Sequence, residues 1–276
     1  MRLTALSAVT AAFVSQTAFA QGFMTSPLNC SGPIQNNVCT RPSAQWVYTP
    51  GIMTTVLDHS LVRNGNGKYQ YGTVNDGGGD GKIVAFNGET AHGKPGADVR
   101  CIAGTILLRP APNLPPMTNT AGCGPNYASY DEHPGYDYVA GYGSPVLAAA
   151  AGTVVDIRNY PGGPFEYCYN SNFVGYCVNW GWVGIDHGNG YISQYGHLSS
   201  IHVLPGQKGI KQGQVIGFSG NTAPPSAGHI GPHLHFEVLK VVNGQYLVVD
   251  PYGWVGAPGA DPLYSKALAP PVKLWK

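Results

Sequence analysis

Apolar and polar residues alternate along several short stretches in the second half of the chain. Alternation with a period of two is typical of strands that have one face on a core and the other in water. Gly, Asn and Pro separate these stretches, as they do between antiparallel strands. The pattern therefore predicts a mainly β fold with an antiparallel β-sheet core of sandwich or open-barrel type. The strand candidates are AGTVVDIR, CVNWGWVGIDH, GYISQYGHL, QVIGFSG, HLHFEVLKVV and QYLVVD.

The first half of the chain has longer loops and no stretch with helical periodicity. Its strand candidates are QWVYTP, TTVLDHSLV, KYQYGTV, KIVAFNGE and TILLRP. The stretch RPAPNLPPM follows them, and proline-rich sequences are typical of linkers. We therefore predict an N-terminal β-rich lobe (21–120), a core (121–250) and a C-terminal coil tail that packs on the core (251–276).

The N-terminus has the parts of a secretory signal peptide. Arg2 precedes an apolar run from Leu3 to Val14, and AFA at 18–20 fits an A-x-A cleavage site. We expect residues 1–20 to be removed and the protein to be periplasmic or secreted. The alternative is a retained membrane anchor, but the run is short for a membrane-spanning helix. No later apolar run is long enough to span a membrane, so stable insertion is not expected.

The charge composition excludes one class of partner. Charged residues make up 11% of the sequence, and the formal net charge is +1 at pH 7. Binding to a phosphate backbone depends on clustered Lys and Arg, which so few charges do not provide. Nucleic acid is therefore not expected as a partner. As a separate expectation, we predict that the protein is a monomer.

The six cysteines form an even set, which in an exported chain favours disulfides. They fall into three pairs of near neighbours along the sequence. The alternative is a structural zinc site, but no C-x-x-C pair is present. We predict the disulfides Cys30–Cys39, Cys101–Cys123 and Cys168–Cys177.

Four histidines and an aspartate are the candidate metal-binding and catalytic residues. His133 and Asp137 flank a Pro-Gly pair, which favours a turn over a helix. His197 ends the strand candidate GYISQYGHL, and the pair His233 and His235 shares one face of HLHFEVLKVV. A catalytic zinc takes three N or O protein ligands and keeps one position open to water. The His-x-x-x-Asp pair with one member of H-x-H supplies such a set, and the two remaining histidines can transfer protons.

Five motifs follow one another in unbroken order between about residues 131 and 240. They are HPGYDY, GSPVLAAAAGTVV, GIDHGNGYISQYGHLSSI, GQKGIKQGQVIGFSGNTA and GPHLHFEV. Together they resemble the lysostaphin/LytM-type zinc metallopeptidases, peptidase family M23. The resemblance implies an antiparallel β fold with a groove over the metal. It also implies hydrolysis of peptide cross-links or bridges in bacterial peptidoglycan.

The resemblance further implies a role for each candidate residue. One Zn²⁺ per chain would be bound by His133, Asp137 and His235. The catalytic pair would be His197 and His233. We expect substrate contacts from three further residues, of which either tyrosine is a candidate hydrogen-bond donor to the oxyanion: Tyr127, Tyr130 and Asn221.

Two further residues are candidates for the site. Glu237 lies two positions after His235, where it can support the site from the same strand face. His59, in VLDHS of the N-terminal lobe, is a candidate to cap the metal. The chain departs from the family pattern in SGNTAPPSAGHIG, which is longer than usual and carries His229.

A second function remains open beside the zinc endopeptidase. It is a catalytically silent relative that binds the cell wall or activates another hydrolase. Such relatives typically lack metal ligands, whereas all five site positions are present here. The sequence does not decide between a D-alanyl–diaminopimelate cross-link and a glycine bridge as the bond that is cut.

Overall fold

The computed structural model describes residues 22–43, 53–60, 82–88, 90–92, 133–158, 166–170, 173–177, 181–222, 231–264 and 271–276. Within these residues the chain forms fifteen strands and no helix. No described segment is therefore a helix long and apolar enough to span a membrane. The strands are β1 (Ile34–Gln35), β2 (Val38–Cys39), β3 (Met53–Thr55), β4 (Lys82–Val84), β5 (Thr90–His92), β6 (Tyr136–Val139), β7 (Pro145–Leu147), β8 (Thr153–Arg158), β9 (Glu166–Asn170), β10 (Phe173–Cys177), β11 (Gly181–Asp186), β12 (Tyr191–Ile201), β13 (Val215–Ser219), β14 (His233–Val242) and β15 (Gln245–Val249).

Eleven of these strands form one antiparallel sheet, which confirms the predicted mainly β class. Its main path runs β3-β6-β14-β12-β10-β9. Branches leave this path, because β11 pairs with β12 and β8, β13 pairs with β12 and β7, and β15 pairs with β14. The long strands β12 and β14 therefore lie at the centre, and each has more than two partners. The remaining strands form the two-stranded sheets β1-β2 and β4-β5.

Strand β14 shows how the alternating pattern builds the core. Leu234, Phe236 and Val238 are fully buried, and the ring of Phe236 packs edge-on against Tyr195 with centroids 5.3 Å apart. Burying one side chain of this size contributes about 1.5–3 kcal/mol. The intervening residues His233, His235 and Glu237 lie on the opposite face of the strand. The same alternation therefore supplies both the core and the candidate site.

Residues 22–43 attach to the sheet through backbone hydrogen bonds. The N–H of Leu147 donates to Pro27 at 2.8 Å, and the N–H of Val215 donates to Asn37 at 2.7 Å. The segment contains the Cys30–Cys39 disulfide that the sequence predicts. Because these contacts involve β7 and β13, the start of the described chain packs directly on the large sheet.

The C-terminal residues also contact the core. Trp275 packs on Phe236 with ring centroids 5.4 Å apart, and the N–H of Leu274 donates to Pro251 at 2.9 Å. Met24 forms an isolated parallel bridge with Trp275. The first and last described segments of the chain are thus hydrogen-bonded to each other beside the sheet.

Several predictions fall on parts of the chain outside the described residues. These are the signal peptide, the proline-rich linker and the Cys101–Cys123 pair. Strands β9 and β10 carry Cys168 and Cys177 on paired backbone, but their side chains are not among those described. The last two disulfides therefore remain predictions.

Candidate metal centre

Three donor side chains meet where β6 and β14 pair. His235 lies directly opposite Asp137 in the register of these strands, and His133 lies in the turn before β6. The Nδ1 atom of His235 is 2.9 Å from Asp137 Oδ1 and 3.1 Å from His133 Nε2. The three donor atoms all lie within 4.8 Å of one another, and all three residues are buried. This trio is the donor set that a metal ion of the Zn²⁺ type prefers.

The hydrogen bonds on the outer side of the two imidazoles decide where their lone pairs point. His133 Nδ1 lies 2.8 Å from the carbonyl oxygen of Val56, which only accepts, so this nitrogen carries the proton. His235 Nε2 lies 3.3 Å from the Glu237 carboxylate, which assigns its proton in the same way. When both rings are neutral, the inner nitrogens present lone pairs to the common point, and a metal bound there would displace any proton on His235 Nδ1. The residues fit a bound metal.

The surroundings of the trio shift the pKa values of Asp137 and His235. Burial alone would raise the pKa of Asp137, but the neighbouring His133 and His233 lower it well below its usual range. Burial alone would lower the pKa of His235, but hydrogen bonds to Asp137 and Glu237 raise it to about 9. Asp137 is therefore a carboxylate at neutral pH, which supplies one anionic donor.

Two further histidines lie beside the trio. The rings of His197 and His233 are 4.4 Å apart, and His233 Nε2 is 3.7 Å from Asp137 Oδ1. His197 Nδ1 donates to the carbonyl of Thr222 at 2.6 Å, and His233 Nδ1 donates to that of Gly231 at 2.7 Å. In its neutral form each ring therefore carries the free lone pair on Nε2.

His197 is held neutral by its surroundings. Burial lowers its pKa, and the neighbouring His233 and His235 lower it further, to about 3. The metal-free protein therefore has a neutral ring here, with an unprotonated Nε2.

The backbone at His197 explains how this side chain reaches the site. His197 has a φ of 61°, in the left-handed region that residues other than glycine rarely adopt. Up to Gly196, β12 pairs with β14, and from Leu198 it pairs with β13. The irregular residue between these two pairings turns the imidazole toward His233, and unusual backbone of this kind is frequent at functional sites.

Gly135 sets the position of the turn that carries His133 and Asp137. A Cβ atom on this residue would lie 2.5 Å from the carbonyl oxygen of Phe236 and 2.9 Å from the Cβ of Glu237. Only glycine allows the turn to approach β14 this closely. The Pro-Gly pair in the sequence predicts the turn, and the close approach gives the reason for the glycine.

Of the other predicted site residues, Asn221 and His59 lie among the described residues. Asn221 is exposed and follows Gly220, which bridges to His233. Tyr127, Tyr130 and His229 lie outside the described residues, so their roles stay predictions. The hypothesis that His59 caps the metal is wrong, because its ring is buried with both nitrogens hydrogen-bonded elsewhere, to Asp261 and Asp250 at 2.8 Å each.

Two supporting groups have no clear signal in the sequence. Val56 acts through its backbone carbonyl, and a carbonyl carries no information about residue type. Thr222 accepts from His197 through its carbonyl, while its hydroxyl donates to Leu198 at 2.8 Å. Glu237, by contrast, is indicated by its spacing of two from His235, which places both on one face of β14.

Comparison with known proteins agrees with this geometry. A family model described as Peptidase family M23 matches residues 131–251, which include all five histidine and aspartate positions of the site. We call residues 131–251 the M23 domain after this match.

Relatives of the M23 domain are found in several bacteria. The peptidoglycan DD-endopeptidase ShyA of Vibrio cholerae is 40% identical over 107 residues, which cover 39% of this chain and 20% of the relative. The DD-carboxypeptidase/endopeptidase Mpg of Neisseria meningitidis is 36% identical over 113 residues, covering 41% and 21%. The chain therefore spans about a fifth of the length of these relatives.

Solved structures that resemble the M23 domain include lysostaphin from Staphylococcus simulans. It is 28% identical in sequence, the match covers 42% of this chain and 42% of that chain, and the TM-score is 0.31.

Proposed function

We propose that this protein is an exported zinc endopeptidase that hydrolyses peptide bonds in bacterial peptidoglycan. The observation that carries the proposal is the convergence of His133 Nε2, Asp137 Oδ1 and His235 Nδ1 within 4.8 Å of one another inside the M23 domain. The adjacent pair His197 and His233 adds two proton acceptors at the same place.

The donor trio would hold one Zn²⁺ per chain. When bound there, zinc supplies Lewis acidity and lowers the pKa of a water molecule toward neutrality. Glu237 and the Val56 carbonyl keep the two imidazoles oriented, and Asp137 offsets part of the positive charge.

The flanking histidines would handle the protons of the reaction. His197 is fixed through Nδ1 and open at Nε2, so it can accept a proton from the attacking water. His233, whose ring lies 4.4 Å away, has a donor at Nε2 in its protonated form, and in that form it can stabilise the oxyanion or give a proton to the leaving amine. The two roles together account for the hydrolysis of an amide by addition of water and departure of an amine.

Peptidoglycan is the proposed substrate because the named relatives are peptidoglycan endopeptidases or carboxypeptidases. Their names favour a bond between two D-centres in the cross-link over a glycine bridge. The signal-peptide pattern of residues 1–20 supports export to the compartment that contains this polymer.

Digestion of purified peptidoglycan tests the proposal. Sacculi with direct D-alanyl–diaminopimelate cross-links and sacculi with glycine bridges are incubated with wild type, His235→Ala and His187→Gln, and released muropeptides are identified by mass spectrometry. His187 is the matched control, because it is hydrogen-bonded through both ring nitrogens at a hairpin away from the trio. Cleavage by wild type and His187→Gln but not by His235→Ala supports the proposal. Equal cleavage by all three proteins rejects the metal mechanism, and binding to sacculi without cleavage by wild type favours the catalytically silent alternative.

A further inference from the structure

Residues 53–60, which we call the upstream segment, lie outside the matched M23 domain and yet contact the metal site. The Val56 carbonyl accepts from His133 Nδ1 at 2.8 Å, and the N–H of Asp58 donates to the His133 carbonyl at 2.9 Å. Strand β3 pairs with β6, where Thr55 lies opposite Asp137. The segment thus holds one proposed ligand by its ring and its backbone, and lies beside the strand that carries another.

His59 fastens the upstream segment to residues that follow β15. Its Nε2 is 2.8 Å from Asp250, which follows β15, and its Nδ1 is 2.8 Å from Asp261. All three side chains are buried, and the His59 ring packs against Trp254 with centroids 5.1 Å apart. A buried imidazolium between two carboxylates is costly to break, because removing one partner leaves an uncompensated buried charge.

The same carboxylate connects this cluster to the ligand-bearing strand. Asp250 Oδ2 also accepts from the hydroxyl of Tyr136 at 2.5 Å, and Tyr136 immediately precedes Asp137 in β6. Asp250 is therefore hydrogen-bonded both to the upstream segment, through His59, and to the ligand-bearing strand β6, through Tyr136.

We infer that the upstream segment completes the metal centre by fixing the ring of His133, and that His59 is the positioning residue that holds the segment in place. The inference rests on the proposed function for the identity of the site, but it concerns residues that the M23 match does not include. Loss of His59 frees the segment, so that the Val56 carbonyl no longer fixes the ring and its tautomer. The partners of metal-bound histidines typically contribute 10–100-fold to metal affinity.

The test variant is His59→Gln combined with Asp261→Asn. This pair removes one positive and one negative charge, so the net charge of the buried cluster is unchanged and folding is favoured over that of His59→Gln alone. His187→Gln is the matched control, since it also removes a histidine with both nitrogens hydrogen-bonded. All proteins are full-length after signal removal and are checked for folding by circular dichroism.

Two measurements are made well below the melting temperature. Competition with a chromogenic chelator gives the zinc affinity, which we expect to fall about 10–100-fold in the double variant and to stay unchanged in the control. Long-range ¹H–¹⁵N NMR of metal-free, ¹⁵N-histidine-labelled protein gives the His133 tautomer, assigned with His133→Gln. The Nδ1–H form should dominate in wild type and in the control, and should become mixed in the double variant.

The outcomes separate the inference from the proposed function. A folded double variant with wild-type zinc affinity and a wild-type His133 signal overturns the inference, while the proposed function stands. A wild-type protein that binds no zinc rejects the proposed function. The NMR signal of His133 then tests by itself whether the upstream segment positions the His133 ring. In that case a tautomer change in the double variant supports the positioning of His133, and an unchanged tautomer overturns it.

Discussion

The two histidines of GPHLHFEV share one strand face but have different hydrogen-bond partners. His235 directs Nδ1 to Asp137 at 2.9 Å, whereas His233 uses its Nδ1 on the carbonyl of Gly231 and lies 3.7 Å from Asp137 through Nε2. The inner position of His235 suits a ligand, and the outer position of His233 suits a group that meets substrate.

Substitution should separate these two roles. We expect His235→Ala to lose the bound zinc and all activity, because it removes one of three donors. His233→Ala should keep about one zinc per chain and lose about 10²–10⁴-fold in kcat/KM, the usual contribution of a general acid or base. Metal analysis and muropeptide release on the same samples check both expectations. Loss of zinc from His233→Ala as well would contradict the division of roles.

Glu237 provides a second prediction at this scale. Its carboxylate accepts the outer N–H of His235, which raises the basicity of the inner nitrogen. Glu237→Gln keeps the shape but removes the charge, so we expect zinc affinity to fall about tenfold while the fold is retained. Chelator competition measures the change, with Gln245→Lys, on the neighbouring strand β15, as the control because it also raises the net charge by one. An affinity equal to that of wild type would show that the contact does not tune His235.

Individual residues of the site differ in how far the sequence predicts them. The motifs place His133, Asp137 and the H-x-H pair together, because residue type and spacing both carry the signal. The residues alone leave open which member of H-x-H is the inner one, and the family resemblance favours His235. The Val56 carbonyl has no such signal, since any residue type could supply it.

The strands are predicted best where one face is buried. HLHFEVLKVV corresponds to β14, where the core-facing residues Leu234, Phe236 and Val238 alternate as expected, and QVIGFSG contains β13. TTVLDHSLV is wrong as a single strand, because β3 ends at Thr55. Asp58 explains the end, since its carboxylate accepts the N–H of Ser60 and the N–H of Val84, which favours a turn over a continued strand.

The turn before β6 gives a prediction at the scale of an element. Gly135→Ala would place a methyl group 2.5 Å from the Phe236 carbonyl, and backbone in the central strand β14 cannot move away cheaply. We expect a loss of about 1–3 kcal/mol in unfolding free energy together with weaker zinc binding, because the turn carries His133 and Asp137. Urea unfolding and chelator titration measure the two effects.

Gly141→Ala is the matched control for this turn. Among the described residues, the atom nearest to the methyl group that this substitution adds is the Ser144 hydroxyl oxygen at 3.7 Å, an ordinary contact distance. Its stability and zinc affinity should stay close to wild type. If Gly135→Ala behaved like Gly141→Ala, the close approach of the turn to β14 would not be required.

At the scale of the whole molecule, the buried His59 cluster predicts how stability depends on pH. Burial alone would lower the pKa of His59, but its hydrogen bonds to Asp250 and Asp261 and their charges raise it from 6.5 to about 9. The folded state therefore binds this proton more tightly than the unfolded state. The resulting stability is fully present below about pH 6.5 and is lost as the pH rises to about 9, a change of about 3 kcal/mol.

Urea unfolding of metal-free protein between pH 6 and 9.5 measures this dependence. His235 also has a raised pKa, so the difference between wild type and the His59→Gln, Asp261→Asn variant isolates the contribution of His59. The difference should shrink as the pH rises. The aromatic groups facing the cluster, Tyr136 and Tyr264, have pKa values raised well above 10 and stay neutral in this range. A difference that is constant with pH would contradict a charged His59.

Truncation tests whether the N-terminal half is a removable lobe or a part of the catalytic unit. A chain that begins at residue 121, at the predicted start of the core, lacks β3, the Val56 carbonyl and His59. Asp250 and Asp261 then remain buried without their cation, which is strongly destabilising. We expect this chain to fail to fold, or to melt at least ~10 °C below the chain that begins at residue 21 and to bind zinc more weakly.

A chain that begins at residue 44 separates stability from metal binding. It lacks the backbone hydrogen bonds of residues 22–43 to β7 and β13 and the disulfide, but keeps the upstream segment with Val56 and His59. It should therefore melt lower than the chain from residue 21, yet retain its zinc affinity where it is folded. Calorimetry and chelator competition on all three chains give both quantities. A chain from residue 121 that is as stable and as active as the longest one would mean that the N-terminal half only covers the site, because a segment that supplies the Val56 carbonyl and the His59 charge cannot be removed without cost.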